Sequence, residues 1–441
     1  MRIDYYNFND FEIKKLTDNW FLIKSNNLGD YVFNIDSVEI AKIPQNITNG
    51  QINKTINNRA VIPTKTYSPV SFFNSGKVPR LMLFPTASCN LNCIYCHCDS
   101  NIKDSHMTDS ILVETLSKYL EFVKHNASLT NGIEITFMGG GEPFVKFECI
   151  KKVVSLLKEK KIKVRYSIVT NGTLGSDDDW LWLQKERFSI TISADGPPEI
   201  QNYQRPFNTQ RGTSEVLEKR LVFLSNRKIK INIRTTVVNS KKENIDKICD
   251  YFKGFKCVKT HHLEPVSYAG RGIMLTNDSI IDFYKNFFTY YSKYLYANPK
   301  RFKSAWFKPF QKSDGFCGAV YRNAIVTHDG YITLCTEVDS KSLNTPIGSE
   351  FIVSKITDIN PFESSKAINF TNNNSINKLP YCKNCIIRYK CGGGCYIKRS
   401  RDFSNNSSLY YNAFCKNVIA LHLSYLLQLY EKRLKNQHEI I

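Results

Sequence analysis

Residues 87–100, ASCNLNCIYCHCDS, place four cysteines within ten positions, and the frame they form bears on the whole chain. Cys89, Cys93 and Cys96 read C-x3-C-x2-C, and Cys98 falls outside that frame. A structural zinc site takes four tetrahedral ligands, usually from two short-spaced pairs. Three thiolates in so short a loop suit three corners of a [4Fe–4S] cube, which leaves one iron open to another ligand. A zinc knuckle and a redox dithiol are the competing readings. The segment just before the loop, RLMLFPT (80–86), reads as a strand, so the thiols fall past its C-terminal end.

Working outward, strand and helix patterns alternate to residue 265. Strands are expected at IEITFMG (133–139), KVRYSIVTN (163–171), FSITISADG (188–196), KINIRTTVVN (230–239) and CVKTHHLEP (257–265). Helical patterns separate them, the first over 108–125 with Thr108 as its cap. Six strands with intervening helices are the signature of parallel βαβ units. The expected fold class is therefore α/β, a partial (β/α)6 TIM-like barrel whose chemistry sits at the C-terminal strand ends. Four regions follow: a small α+β module (1–78), the barrel (79–265), an aromatic helical bridge (266–316) and a cysteine-rich region (317–441). In the first, NWFLIKSNN and GDYVFNID read as strands joined by a turn at Asn26–Asn27. DSVEIAKI begins a short helix capped by Asp36 or Ser37. Residues 45–58 read as loop and the Asn-rich stretch 369–378 as linker, with an amphipathic helix over 417–434.

Composition narrows the function. The 441-residue chain has no run of eighteen apolar residues and no signal-like start, so a cytoplasmic protein without a membrane partner is expected. Disulfides are rare there, which leaves metal ligation as the leading account of 14 cysteines. The formal net charge of +20 shrinks once cluster-bound thiolates are counted. What remains favours an anionic cofactor or an acidic peptide. No basic run interleaved with aromatics marks a nucleic-acid site.

Further motifs complete the pattern. MGGGEP (138–143) follows the second strand, SIVTNGT (167–173) the third, and TISADGPPEIQNYQR (191–205) spans the fourth. Cys317, Gly330 and Cys335 read C-x12-G-x4-C; Cys382, Cys385, Cys391 and Cys395 read C-x2-C-x5-C-x3-C, with Cys415 beyond. With the triad, these motifs resemble radical S-adenosylmethionine (SAM) enzymes that carry a C-terminal SPASM domain. The resemblance implies S-adenosyl-L-methionine and three [4Fe–4S] clusters, one holding SAM and two auxiliary. Cys89, Cys93 and Cys96 would hold the first, beside the aromatic Tyr95. Gly140, Gly141 and Glu142 would meet the SAM ammonium, Thr170 and Asn171 its ribose, and Ser193 and Arg205 its carboxylate. For Asn171, a turn residue before Gly172 is an equal reading. Cys317, Cys335 and Cys395 would bind the first auxiliary cluster, and Cys382, Cys385, Cys391 and Cys415 the second. Some relatives add a cysteine just upstream of the Cys317 position. None occurs in WFKPFQKSDGF here, so the first auxiliary cluster keeps an open iron or is closed by Cys98 or Cys257. Cys149 and Cys249 fall within helices and read as buried structural thiols.

Within that class the leading expectation is a maturase of ribosomally made peptides that installs thioether or carbon–carbon crosslinks, similar to His-Xaa-Ser system maturases. Its partners would be a precursor peptide or protein, with an acidic leader on the N-terminal module, and a flavodoxin or ferredoxin as electron donor. The alternative is an enzyme resembling anaerobic sulfatase maturases, which form formylglycine from Cys or Ser. Those place a catalytic Asp directly after the Cys335 position. Here Thr336 stands there, followed by Glu337, the candidate base. A non-catalytic zinc-binding protein is the alternative from a different class.

Overall fold

The computed structural model describes residues 5–8, 11–16, 20–25, 29–34, 39–43, 51, 79–98, 101–126, 132–267, 270–274, 280–309, 315–317, 323–402 and 407–438. The chain opens with an antiparallel sheet of five strands in sequence order: β1 (Tyr5–Phe8), β2 (Phe11–Lys15), β3 (Trp20–Ser25), β4 (Gly29–Asn34) and β5 (Glu39–Ile43). Side chains alternate across it, as a strand period of two requires. Ile13, Phe21, Ile23, Tyr31 and Phe33 join a large core with the C-terminal helix, while Trp20, Leu22, Val32 and Ile43 form a second cluster. The segment expected to start a helix is instead β5, paired to β4 with Val32 opposite Ala41. A neighbouring strand with free hydrogen-bonding groups outweighed the local cap signal. Asp36, Ser37, the Asn26–Asn27 turn and residues 52–58 lie outside the described residues.

The expected barrel follows as β6 (Arg80–Leu83), β9 (Ile133–Phe137), β10 (Val164–Thr170), β11 (Ser189–Ser193), β12 (Ile231–Val237) and β13 (Val258–Pro265). All six are parallel neighbours in that order. A hairpin of β7 (Thr86–Ser88) and β8 (Asn101–His106) interrupts the first crossover and carries the cysteine loop. The helices are α1 (Asp109–Asn126), α2 (Phe147–Glu159), α3 (Asp177–Lys185), α4 (Pro198–Gln204), α5 (Ser214–Asn226) and α6 (Lys242–Tyr251). Thr108 Oγ1 accepts from Ile111 N at the start of α1, as the cap reading requires. Leu81, Leu83, Ile135, Ile168, Ile190 and Ile231 are buried between strands and helices. Parallel strands covered on both faces read as apolar runs for this reason.

The sheet is larger than six strands. After α7 (Ile280–Ala297), β14 (Phe302–Lys303) adds to β13. At the other edge β15 (Asn323–Val326) runs parallel to β6, followed by antiparallel β16 (Tyr331–Thr333) and β17 (Ile352–Lys355). The ten-stranded sheet thus draws the cysteine-rich region onto the barrel. The expected Asn-rich linker is half helix: α9 (Ser365–Asn373) follows α8 (Pro346–Phe351), and Ile376 beyond it is fully buried. The final helix, α10 (Lys416–His438), packs on α7 and on the N-terminal sheet, where Glu431 accepts from Tyr31 Oη at 2.5 Å and pairs with Lys42 Nζ at 2.8 Å. Among the described residues, no helix is long and apolar enough to cross a membrane.

Candidate active site

The cysteine loop is bolted to the segment after α4. Asn92 N donates to Pro206 O at 2.8 Å, Ile94 N to Gln204 O at 3.0 Å, and Asn208 Nδ2 to Cys89 O at 2.8 Å. This brings Arg205 to the loop: its Nη1 lies 3.9 Å from Cys93 Sγ and its guanidinium 5.2 Å from the centre of the Tyr95 ring. Burial pushes the thiols of Cys93 and Cys89 up, to about 11 and about 12; Glu142 and the neighbouring thiols push Cys89 the same way, while the Arg205 guanidinium pulls Cys93 back. Thiols buried in this way lose their protons readily when a nearby positive charge or a metal stabilises the thiolate, the proton passing to solvent.

The GGGE turn closes against the hairpin. Gly141 N donates to Thr86 O at 2.8 Å and Glu142 N to Ser88 O at 2.9 Å. A Cβ on Gly141 would stand 1.9 Å from Ser88 O, so the backbones approach only because no side chain intervenes. Gly141→Ala is expected to cost about 1–3 kcal/mol through this overpacking and to weaken SAM binding; anaerobic thermal melts and equilibrium dialysis with SAM check both.

Glu142 is buried at the neck between β9 and β10. It accepts from Thr170 Oγ1 at 2.5 Å, Asn171 N at 2.7 Å and Phe144 N at 3.2 Å. Burial pushes its carboxyl up to about 7 against those three bonds. A cation brought to it would favour its charged form. The Asn171 side chain holds a turn: its Oδ1 accepts from Thr173 N and Oγ1, and its Nδ2 donates to Asn90 Oδ1 at 2.8 Å.

Sequence reasoning missed Asp195. It is fully buried two residues past Ser193. Its Oδ2 accepts from Tyr95 Oη at 2.5 Å, Gln204 Nε2 at 2.8 Å and Arg205 Nε at 3.0 Å, while Oδ1 accepts from Thr236 N at 3.0 Å. Burial pulls the Arg205 pKa down, but the Asp195 carboxylate together with Tyr95 and Cys93 outweighs this and raises it. The second omission is on β13, where His262 Nε2 meets Glu264 Oε1, which also accepts from Ala305 N at 2.6 Å. Two ionisable residues spaced by two on a buried strand, in HHLEP, were the available signal.

The cysteine loop, the GGGE turn, Arg205 and Glu264 line one cavity of about 310 Å³ at the C-terminal ends of β9–β13, and Asp195 is bonded to Tyr95 and Arg205 of its lining. Cys89, Cys93, Cys96, Tyr95, Gly140, Gly141, Glu142, Thr170, Asn171, Ser193 and Arg205 all reach it, so the sequence-derived set is brought together. Its far wall comes from the cysteine-rich region: Thr336, Glu337, Cys395 and Lys398. Glu337 Oε2 accepts from Ser267 Oγ at 3.3 Å, and Glu337 N donates to Cys335 Sγ at 3.5 Å. Cys98 lines the same cavity, with Lys341 Nζ bonded to its carbonyl at 2.8 Å. Cys257 does not. It is buried in the barrel core with Sγ 3.4 Å from Leu221 O, which removes it as a ligand candidate. Cys149 and Cys249 are buried in α2 and α6, as expected of structural thiols.

The remaining cysteines fall into two sets. Cys317, Cys335 and Cys395 lie near enough that each thiolate would raise the pKa of its neighbours. Cys382, Cys385, Cys391 and Cys415 do the same around a second, almost wholly apolar cavity that all four line. Arg399 and Arg388 place positive charge beside this quartet, and Lys308 beside Cys391. Four thiols with nearby cations suit an anionic thiolate-bound cluster. Among the described residues, no three His, Cys, Asp or Glu form a group that would hold a single ion. Thiols on a cubane stand farther apart, since each binds a different iron.

Residues 83–253 match the radical SAM superfamily. With the barrel and the three-thiol loop, this makes the protein a radical SAM enzyme. It is related to the anaerobic sulfatase-maturating enzymes. The cysteine-type enzyme of Clostridium perfringens is 27% identical over 385 residues, covering 80% of this chain and 94% of that protein. The serine-type enzyme of Klebsiella aerogenes is 23% identical over 325 residues, 70% and 77% of the two chains. The solved structure of native anSMEcpe with bound AdoMet and the Cp18Cys peptide superposes with a TM-score of 0.61 at 22% identity, covering 80% of this chain and 99% of that one. That family implies SAM and a [4Fe–4S] cluster.

Proposed function

We propose that this protein is a radical SAM/SPASM enzyme that oxidises a Cys or Ser side chain in a peptide or protein, the chemistry associated with its sulfatase-maturating relatives. The observation that carries this reading is the single cavity that joins the Cys89–Cys93–Cys96 loop to Glu337 and Cys395. The bound cluster and SAM would supply a carbon-centred radical that abstracts hydrogen. The chain's own residues arrange the rest. Cys89, Cys93 and Cys96 hold the cluster, and Tyr95 fixes their loop through Asp195. Glu142 takes the SAM ammonium, Ser193 and Arg205 its carboxylate, and Thr170 and Asn171 face the ribose. Arg205 suits a carboxylate because its planar fork pairs bidentately. Cys317, Cys335 and Cys395 hold a first auxiliary cluster and the Cys382 quartet a second, with electrons supplied by a flavodoxin or ferredoxin.

Glu337 is the proton acceptor in this reading. Oxidising a cysteine side chain to a thioaldehyde removes one hydrogen atom, one proton and one electron. Glu337 takes the proton; bound SAM would supply the acceptor for the hydrogen atom, and a cluster held by Cys317, Cys335 and Cys395 would supply the acceptor for the electron. Water then replaces sulfur, released as hydrogen sulfide, and leaves an aldehyde. Glu337→Gln is expected to lower aldehyde formation about 100-fold or more, as loss of a positioned base does, while SAM cleavage continues. Hydrazine trapping of the product, with 5′-deoxyadenosine counted in parallel, reads both. Full aldehyde yield from this variant removes Glu337 from the reaction.

One observation favours a second reading. The first auxiliary set has three cysteines, and its wall faces the SAM side of the cavity. An open iron there would take a substrate thiolate and direct it into a thioether crosslink. Mass spectrometry separates the two: a crosslinked peptide loses hydrogen and keeps its sulfur, whereas an aldehyde product loses sulfur. Among the described N-terminal residues the segment expected to begin a helix is strand β5, and binding of an acidic leader by this module stays part of the second reading.

A further inference from the structure

Trp306 is 2% exposed, and its indole Nε1 has no hydrogen-bond partner among the described residues. A buried donor left unpaired costs roughly 1–3 kcal/mol, and native folds rarely carry one without a reason such as an absent ion. Trp306 lines both cavities, the one containing Cys395 and the one enclosed by Cys382, Cys385, Cys391 and Cys415. Its ring packs 4.5 Å from Phe316, the neighbour of Cys317, and 4.5 Å from Phe414, the neighbour of Cys415. Gly394, at φ +76°, precedes Cys395; a Cβ there would stand 2.0 Å from Tyr410 Oη and 3.5 Å from the indole ring, so the chain enters Cys395 beside Trp306 without a side chain between them. The indole is therefore wedged between the two cysteine sets. On one side stands Cys395 of the first set, and on the other the four cysteines of the second, so a cluster on either set would bring sulfur toward the indole.

We propose that the Trp306 N–H is held for a sulfur of an auxiliary cluster and sets that cluster's reduction potential relative to the other. This rests on the reading that both cysteine sets bind clusters. Hydrogen bonds to cluster sulfur stabilise the reduced form. A tryptophan between two clusters that share one donor edge biases which of them holds the electron, and so the direction in which charge leaves the substrate site.

The test is redox titration of reconstituted full-length protein, followed by electron paramagnetic resonance. Trp306→Phe keeps a ring and removes the donor. At the wild-type midpoint potential of the affected cluster, the ratio of reduced to oxidised cluster should fall roughly tenfold, the worth of one such bond. Wild-type potentials for both auxiliary clusters in a variant with full iron would overturn the proposal. A second measurement needs no variant: wild-type protein labelled with nitrogen-15 in its indoles should show coupling of one indole N–H to a reduced auxiliary cluster. Absence of that coupling also overturns it. If wild-type protein takes up iron for one cluster only, the auxiliary reading fails, and this inference with it.

Discussion

Cys93→Ala is expected to abolish formation of 5′-deoxyadenosine while leaving most of the iron. Cys93 is the middle thiol of the loop, in reach of the Arg205 guanidinium, and lines the cavity with its two partners. A cube gripped at two corners has no defined open iron, so the site that takes SAM is lost. The quartet around Cys382 lines a different cavity, and Cys395 faces the loop across the shared one, but neither set includes a cysteine of the loop. Iron should therefore fall from about 12 to about 8 per chain if each set binds four. Iron assay and chromatography of the SAM products on anaerobically reconstituted protein measure both quantities. Cleavage at the wild-type rate would move the radical site elsewhere. Loss of all iron would mean that the three sets fold as one unit.

Asp195→Ala should be the most destabilising single change in the barrel. One carboxylate satisfies Tyr95, Gln204, Arg205 and the backbone of Thr236. Its removal leaves the Arg205 charge buried with no counter-ion, which costs about 3–5 kcal/mol where a buried pair is broken from one side. The same change frees Tyr95, so the cysteine loop loses its anchor to the end of β11. Urea unfolding should show the midpoint fall, and cluster uptake should drop with it. Asp195→Asn keeps the shape and most acceptor bonds, and it should fall between the two. If both variants unfold like wild type, the carboxylate is dispensable and the loop is held by its backbone bonds to Pro206 and Gln204 alone.

The parts of this protein readable from sequence are those fixed by short covalent spacing or by burial on both faces. The βαβ alternation was legible because β6 and β9–β13 are covered on both sides and carry their apolar runs openly. The cysteine sets were legible because ligands a few residues apart must be near one another in any fold. Asp195 was hidden within the expected strand FSITISADG (188–196), and nothing local tells that Tyr95, a hundred residues earlier, will reach it. The strands β14 to β17 are too short to show a period and exist because a barrel edge was there to receive them. For β5 the local helix signal was real, but pairing with β4 prevailed. The meeting of Glu337 with the Cys89 loop depends on how the C-terminal region swings back onto β6, a long-range matter that no motif records.

The contact between Tyr31 and Glu431 spans 400 residues of chain. During synthesis at roughly 5–20 residues per second, the first strands wait about 20–80 s for the helix that covers their apolar face. For that interval Phe21, Ile23 and Phe33 have no partner, on a sheet with open edges, which is when a nascent chain is most prone to stick to others. If the quartet binds a cluster as proposed, loading falls under the same clock, because its last thiol, Cys415, leaves the ribosome just ahead of the helix that covers the sheet.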